Sequence, residues 1–207
     1  MFPVALKSPH GPTIADRISF ALRRHNNGLN SRGGFERASA ADDRVYFNVR
    51  SLGFSGPSHL LQYAFSDDRG NVILSAVSAV PCPPGPGCEP PEDLAIEPLE
   101  PAALSALLGR VCAGARLVAF GRVLQSSLLP TQSVKAAHSV DCAWRRFMRL
   151  SRQRRFALDR EEPVTLSDAM SIAGLPPLES ADAAMRALAI RELWSWMDRV
   201  DSRAGWA

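Results

Sequence analysis

Residues 44–50 read RVYFNVR, and two similar runs follow, HLLQYAFS at 59–66 and NVILSAVSAV at 71–80. All three runs are rich in β-branched, aromatic and aliphatic residues, a composition that favours β-strands. The second and third runs are separated by DDRG at 67–70, which is typical of a hairpin turn. We therefore predict a three-stranded antiparallel meander over this part of the chain.

After the meander the sequence changes from a strand pattern to a helical one. The Pro-rich segment 81–91 cannot continue a central strand, because proline lacks a backbone N–H, and we expect an exposed loop there. Periodicity and stop residues then predict, in chain order, a helix at 101–114, a short buried strand at 115–120, and helices near 123–130, 139–155, 165–174 and 181–200. A meander followed by α-β-α elements is how ribonuclease H-like folds are built. We predict the α/β class, with a mixed sheet of the antiparallel meander plus parallel strands, flanked by helices.

The first 43 residues differ in composition from the rest of the chain. Thr13 and Asp16 stand at the start of an apolar pattern with helical spacing, as in a capped amphipathic helix. The residues that follow are rich in Gly, Asn and Ser and predict a flexible linker. We therefore expect a helix and linker at 1–43, a main domain at 44–200 and a C-terminal tail at 201–207.

Composition limits the class of protein. The chain has 207 residues and is 46% hydrophobic, which suits one core of ordinary size. Of its 24 basic residues 22 are arginine, the side chain best shaped for bidentate phosphate contacts, although biased codon usage would give the same ratio. The sequence has no run of about 18 apolar residues and no basic-then-apolar leader, so we predict no membrane partner and a cytoplasmic location.

Two cysteines leave a structural question open. Cys82 and Cys88 lie in PCPPGPGCEPP, where they could close a small disulfide or supply half of a zinc site. Their spacing is not of the C-x-x-C type, and no His or Cys pair with finger-like spacing follows. The sequence favours neither alternative.

The strand at 44–50 opens a motif that resembles the first motif of proofreading-type 3′→5′ exonucleases, the DnaQ-like members of the DEDD superfamily. That family begins with a strand that ends D-x-E-T-T-G. In this chain Asn48, Arg50 and Gly53 stand at the D, E and G positions. The family's next two strands are joined by a turn of D-x-x-G type, which DDRG at 67–70 matches.

Two later motifs continue the resemblance. The family's L-V-A-H-N-x-x-F-D is similar to LVAFGRVLQ at 117–125, with Gln125 at the metal-binding Asp. Its H-R-A-x-x-D-A-R-A-T, at the start of the terminal helix, is similar to ESADAAMRAL, with Glu179 at the His and Ala184 at the last Asp. The resemblance spans about 44–200 and implies a ribonuclease H-like exonuclease domain whose catalytic positions are replaced.

The replaced residues bear directly on catalysis. Enzymes of this family hold two Mg²⁺ ions about 4 Å apart, and hard divalent cations need carboxylate oxygens around them. Asn48 and Gln125 offer neutral carbonyl oxygens, and Ala184 offers no ligand atom. Arg50 places a positive charge where a metal would sit. We therefore expect a pseudoenzyme with no metal, no other cofactor and no hydrolysis.

An active enzyme is the alternative. A 3′→5′ exonuclease that uses Mg²⁺ or Mn²⁺ would need displaced ligands, because the usual positions lack carboxylates. The acidic residues near the motif positions in sequence are Asp141, Glu179 and Asp182.

Arg50 has two interpretations. Its guanidinium could replace the charge of a metal and hold a phosphate without cleaving it, which would turn a nuclease cleft into a binding cleft. Alternatively, Arg50 could pair with Glu179 or Asp182 and fill a dead site with an internal salt bridge. The second interpretation is the one we favour from the sequence.

A basic run lies in the helix predicted at 139–155. It reads WRRFMRLSRQRR and contains no acidic residue. At helical spacing Arg145, Arg149 and Arg152 share one side, with Arg146 adjacent to them. Such a stripe attracts nucleic-acid backbones without reading sequence, so these four residues and Arg50 are candidates for nucleic-acid binding. A solvated helix face, or a site for an acidic protein, would show the same pattern.

Trp194 and Trp196 lie near the end of the chain. Two residues at this spacing cannot both face the same side of one helix, so we expect one in the core; the other is a candidate docking site for a partner, with ordinary packing as the alternative. We predict a non-catalytic protein that binds single-stranded DNA or RNA, or that docks as a subunit on a protein partner or a second copy. A pure protein-interaction scaffold is a further alternative.

Overall fold

The structure is a computed structural model, and the residues that it describes are 44–55, 58–81, 98–153, 164–178, 180 and 182–203. Several predictions fall outside these residues. They are the helix and linker at 1–43, most of the Pro-rich loop with Cys82 and Cys88, Glu179, and the end of the tail at 204–207.

A five-stranded mixed sheet organises the described residues. Its strands are β1 Arg44–Ser55, β2 Ser58–Asp67, β3 Val72–Pro81, β4 Arg116–Ala119 and β5 Ser139–Cys142. They lie in the order β3-β2-β1-β4-β5. The first three strands pair antiparallel, which confirms the predicted meander, and β1, β4 and β5 pair parallel. The arrangement is α/β and ribonuclease H-like, as predicted.

Six helices of the described chain flank the sheet. They are α1 Pro101–Cys112, α2 Arg122–Ser127, α3 Thr131–Ala136, α4 Ala143–Gln153, α5 Leu166–Ile172 and α6 Ala183–Arg203. The glycine stop predicted for α1 is confirmed, since Gly114 has a φ of +65°, where a side chain would be strained. Thr165 and Asp168 form a reciprocal capping box at the start of α5.

The segment after β4 differs from the prediction in two places. Ser139–Cys142 forms the edge strand β5 and not the first turn of the following helix, because it pairs with β4 in parallel register. Pairing with a neighbouring strand outweighs the local helical preference of these four residues. A separate short helix, α3, also begins after Pro130, where the sequence predicted that the preceding helix would end without a successor.

The alternation of side chains along β1 divides the interior into two cores. Val45, Phe47 and Val49 face one side, where they pack with α1 and the facing residues of β2 and β3. Tyr46 faces the other side, among residues of α4, α5 and α6. Since side chains alternate along a strand, Asn48 and Arg50 also lie on the side of α6.

Both tyrosines of the chain lie inside this interior. Tyr46 is fully buried, and its hydroxyl donates to Asp68 Oδ1 over 2.5 Å. Burial raises the pKa of Tyr46 well above its usual range, and the hydrogen bond and negative charge of Asp68 act in the same direction. Burial also raises the pKa of Tyr63. Both phenols must therefore stay protonated in the folded protein at pH values where they ionise in the unfolded chain.

This difference makes folding stability sensitive to alkaline pH. A pKa that is higher in the folded state contributes stability that is complete below the unfolded pKa, about 10 for tyrosine, and is lost above it. We expect the free energy of unfolding to fall by up to about 1.4 kcal/mol per pH unit above 10 through Tyr46, and Tyr63 acts in the same direction. Urea titrations at pH 8 and pH 11 should show a smaller loss for Tyr46→Phe, which keeps Tyr63. An equal loss in the variant and the natural protein would show that Tyr46 does not control this dependence.

Candidate functional site

Two positions of the exonuclease-like motifs meet in the fold. Asn48 of β1 donates from Nδ2 to Oε1 of Gln125 on α2 over 3.3 Å. The same Gln125 side chain binds the backbone of Val49 twice, accepting from its N–H over 2.6 Å and donating to its carbonyl over 3.2 Å. Asn48 and Gln125 are both buried. The motif spacing therefore brings together the residues that the resemblance paired.

Local geometry explains how Gln125 reaches β1. Gly121 connects β4 to α2 in the left-handed conformation, with a φ of +79° that a side chain would strain. The turn sends α2 back across the end of β4, where Gln125 is its buried residue. The carboxamide thus lies against β1 as an internal backbone clamp. Its oxygen is already used by two donors, one from Val49 and one from Asn48.

The third motif position lies at the start of α6. Ala184 is buried and has no polar side-chain atom. Nearby, Asp182 Oδ1 accepts from the backbone N–H groups of Ala184 and Met185 over 2.7 and 3.3 Å. Its Oδ2 accepts from Gln62 Nε2 over 2.6 Å. Asp182 is therefore a helix cap whose two oxygens both have donors, and an anion suits this end of the helix.

Gln62 is a site residue that the sequence analysis missed. It lies opposite Arg50 in the register of β1 and β2, and its Oε1 accepts from Ala183 N over 3.2 Å. The buried Gln62 side chain donates to the capping carboxylate of Asp182 and accepts from the backbone N–H of Ala183. It therefore holds β2 to the start of α6. The signal in the sequence is one Gln within the otherwise apolar run HLLQYAFS.

Arg50 lies half-buried on β1, on the same side as Asn48. Within the described residues no salt bridge joins Arg50 to Asp182, whose carboxylate is engaged by Gln62 and the start of α6. The other proposed partner, Glu179, lies outside the described residues. The expected internal salt bridge is therefore not formed with Asp182.

The described acidic residues that the sequence offered as displaced ligands have other partners. Asp141, a candidate displaced ligand, accepts from Arg116 Nε over 2.6 Å. In the described ranges there is no group of three or more His, Cys, Asp or Glu side chains arranged to hold a metal ion. Asp182 thus serves as the cap of α6, and Asp141 as the ion-pair partner of Arg116.

The basic run of α4 divides between two faces of the helix. Arg145, Arg149 and Arg152 are exposed, and we name them the α4 stripe. In the described part of the chain none of the three forms a salt bridge. Together with half-buried Trp144 and Met148 they line a shallow cleft of about 340 Å³. The α4 stripe therefore places free guanidinium groups beside the accessible ring of Trp144.

Arg146 does not belong to this exposed surface. Its Nη1 lies 2.7 Å from Asp198 Oδ1, and its Nη2 pairs with Asp201. Its guanidinium carbon lies 4.5 Å from the ring centre of Trp194, and the side chain is only 14% exposed. Arg146 is thus an internal cation that holds α4 against α6.

The two tryptophans of α6 have different surroundings. Trp194 is buried in the core beneath Arg146. Trp196 is half-buried and packs on Phe147, with ring centres 6.2 Å apart. Trp194 therefore belongs to the core, as the helical spacing required, and Trp196 remains partly exposed.

The chain matches no protein-family model, and no curated protein shows significant sequence similarity to it. Within the described residues, none of the helices has the length and apolar character needed to cross a membrane.

Replacing Gln125 tests its role as a clamp. In Gln125→Ala the buried N–H and carbonyl of Val49 lose their partners, and each buried polar group left unsatisfied costs about 1–3 kcal/mol. We expect a loss of about 2–4 kcal/mol in the free energy of unfolding by urea titration. Leu124→Ala is the matched control, since Leu124 is 66% exposed on the same helix and should change stability by less than about 0.5 kcal/mol. Equal stability of the two variants would contradict the clamp.

Proposed function

We propose that this protein is a catalytically inactive, exonuclease-like domain that binds single-stranded nucleic acid through the α4 stripe. The observation that carries the proposal is the exposure of Arg145, Arg149 and Arg152 without ion-pair partners in the described chain, beside the accessible ring of Trp144. Guanidinium groups contact phosphates, and an aromatic ring stacks on any base, so the combination suits a strand of arbitrary sequence.

The dimensions of the stripe fit this role. Arg145 and Arg152 are seven residues apart on one helix, so their Cα atoms lie about 10 Å apart at ~1.5 Å per residue. The α4 stripe is therefore long enough to contact more than one phosphate of a single strand.

The lack of catalysis rests on the cleft formed by β1, α2 and α6. Two-metal hydrolysis needs anionic ligands that approach both metals from several elements. Here the motif positions hold two carboxamides and an alanine, and the Gln125 oxygen is bonded to the protein itself. The cleft is therefore better suited to stabilising the fold than to binding Mg²⁺ or Mn²⁺.

Charge reversal on the stripe tests the binding proposal. We expect Arg145→Glu, Arg149→Glu and Arg152→Glu together to lower the affinity for labelled single-stranded DNA or RNA by about 10- to 100-fold, measured by fluorescence anisotropy. Each lost phosphate contact should reduce the slope of log affinity against log salt by about 0.7, or about 2 for the set. Arg199→Glu, at an exposed position on α6, is the control for charge reversal outside the stripe, and it changes the net charge as much as each single change within the stripe. If the control loses as much affinity as the triple variant, binding does not involve the stripe.

Catalysis is tested on the same oligonucleotides. We expect a 3′-labelled strand to stay intact in Mg²⁺ or Mn²⁺ during hours of incubation, as judged on a denaturing gel. Cleavage that persists through repurification and is lost in Asp141→Asn would support displaced ligands and overturn the inactive assignment. Absence of both binding and cleavage would favour docking on a protein partner.

A further inference from the structure

A second cavity lies between α4 and α6. Its volume is about 590 Å³, and it is bounded by the starts of β1 and β4, the end of β5, and the helices α4 and α6. Five arginines line it: Arg44, Arg116, Arg145, Arg146 and Arg149. We name it the arginine cavity. A cavity of this size falls within the usual range for sites that bind small molecules.

The arginine cavity is separate from the exonuclease-like cleft. Asp198, one of its lining residues, follows Ala184 by 14 positions on α6, which corresponds to about 21 Å along the helix at ~1.5 Å per residue. On β1 the cavity is lined by Arg44 at the first position, whereas the cleft is lined by Asn48. A ligand in the cavity would therefore not occupy the positions of the lost metals.

The charges in the cavity do not balance. Three aspartates line it, and they neutralise the arginines that lie deeper. Asp198 pairs with both Arg44, over 2.8 Å, and Arg146, over 2.7 Å. Asp141 pairs with Arg116, and Asp201 with Arg146. The remaining two arginines of the lining are the rim residues of α4, which form no salt bridge within the described residues. Counted over the described residues, the lining therefore carries an excess of two positive charges.

The interior of the cavity is already ordered. Arg146 is held from two sides by aspartates and from a third by the ring of Trp194, so its guanidinium is fixed before any ligand arrives. Trp194 also lines the cavity, and its buried indole N–H has no hydrogen-bond partner among the described residues. The protein itself therefore holds the interior of the cavity in one arrangement.

We propose that the arginine cavity binds a phosphomonoester of about the size of a nucleoside monophosphate. A phosphomonoester is close to a dianion at neutral pH, which matches the excess of two positive charges. Arginine is the side chain best suited to bidentate phosphate contacts, and Arg145 and Arg149 stand at the rim to make them. This binding goes beyond the proposed function of the α4 stripe, because it needs neither a strand nor Arg152.

Calorimetric titration of the full chain at constant ionic strength tests the proposal. AMP and adenosine are the probes, because they differ only in the phosphate. We expect AMP to bind with one site per chain, adenosine to show no binding, and inorganic phosphate to compete with AMP. Absence of AMP binding, or equal binding of adenosine, would overturn the proposal.

Asp201→Asn gives a readout that a structural role of the cavity would not produce. The amide keeps an oxygen that accepts from Arg146 but removes the negative charge, and Asp201 is 39% exposed, so the fold should tolerate it. We expect AMP to bind about threefold or more tightly, because Arg146 loses a competing counterion. The paired variant Arg149→Ala should weaken AMP binding by about tenfold, and Arg199→Ala should leave it unchanged. Unchanged or weaker binding in Asp201→Asn would overturn the proposal.

Oligonucleotides distinguish whether the cavity binds the phosphate at the end of a strand or that of a free mononucleotide. Identical short strands with a 5′-phosphate, a 3′-phosphate or no terminal phosphate are compared for affinity. A preference for one phosphorylated end that is lost in Arg149→Ala but kept in Arg152→Ala would assign the cavity to the end of a strand. Equal affinities, together with AMP binding, would assign it to a free mononucleotide.

Discussion

β1 is constrained on every side, and the rest of the structure is arranged around it. It pairs antiparallel with β2 on one edge and parallel with β4 on the other. Its side chains alternate between two apolar cores, so a shift of one residue would exchange Tyr46 with Phe47 and place each in the wrong core. The strand therefore has one possible register. The position of Asn48 and Arg50 on the α6 side follows from that register and not from any contact of their own.

The site around Asn48 of β1 is stabilised by carboxamides and not by carboxylates. Carboxylates gathered at this point would repel one another without metal ions, which is a cost that active enzymes of this kind accept. Carboxamides carry no charge and can donate as well as accept, so Gln125 can satisfy both backbone groups of Val49. Among the described residues, Asn48 Oδ1 is nevertheless buried without a hydrogen-bond partner. The network is therefore stabilising but leaves one buried acceptor unsatisfied.

Local signals in the sequence predicted much of the fold. The meander and the helix of Thr165 were predictable, because strand composition, turn residues and a capping box act within a few residues. The edge strand at Ser139–Cys142 was not, since its only reason to be extended is pairing with β4. The resemblance assigned Asn48 and Gln125 to one site, but it did not predict the hydrogen bond between them. Local sequence spacing could not show that Arg146 turns inward, because its aspartate partners lie more than fifty residues away on α6.

The aspartates of α6 explain why α4 can carry so many arginines and still pack on the sheet. A basic residue facing the core needs a counterion, and Asp198 and Asp201 supply it to Arg146. The arginines on the outer face need none, because water screens them. The same helix therefore turns the neutralised Arg146 inward and the arginines of the α4 stripe outward. Arg145 and Arg149 lie at the boundary, where they line both the shallow cleft and the arginine cavity. The proposed strand binding and the proposed phosphate binding would therefore compete for these two residues.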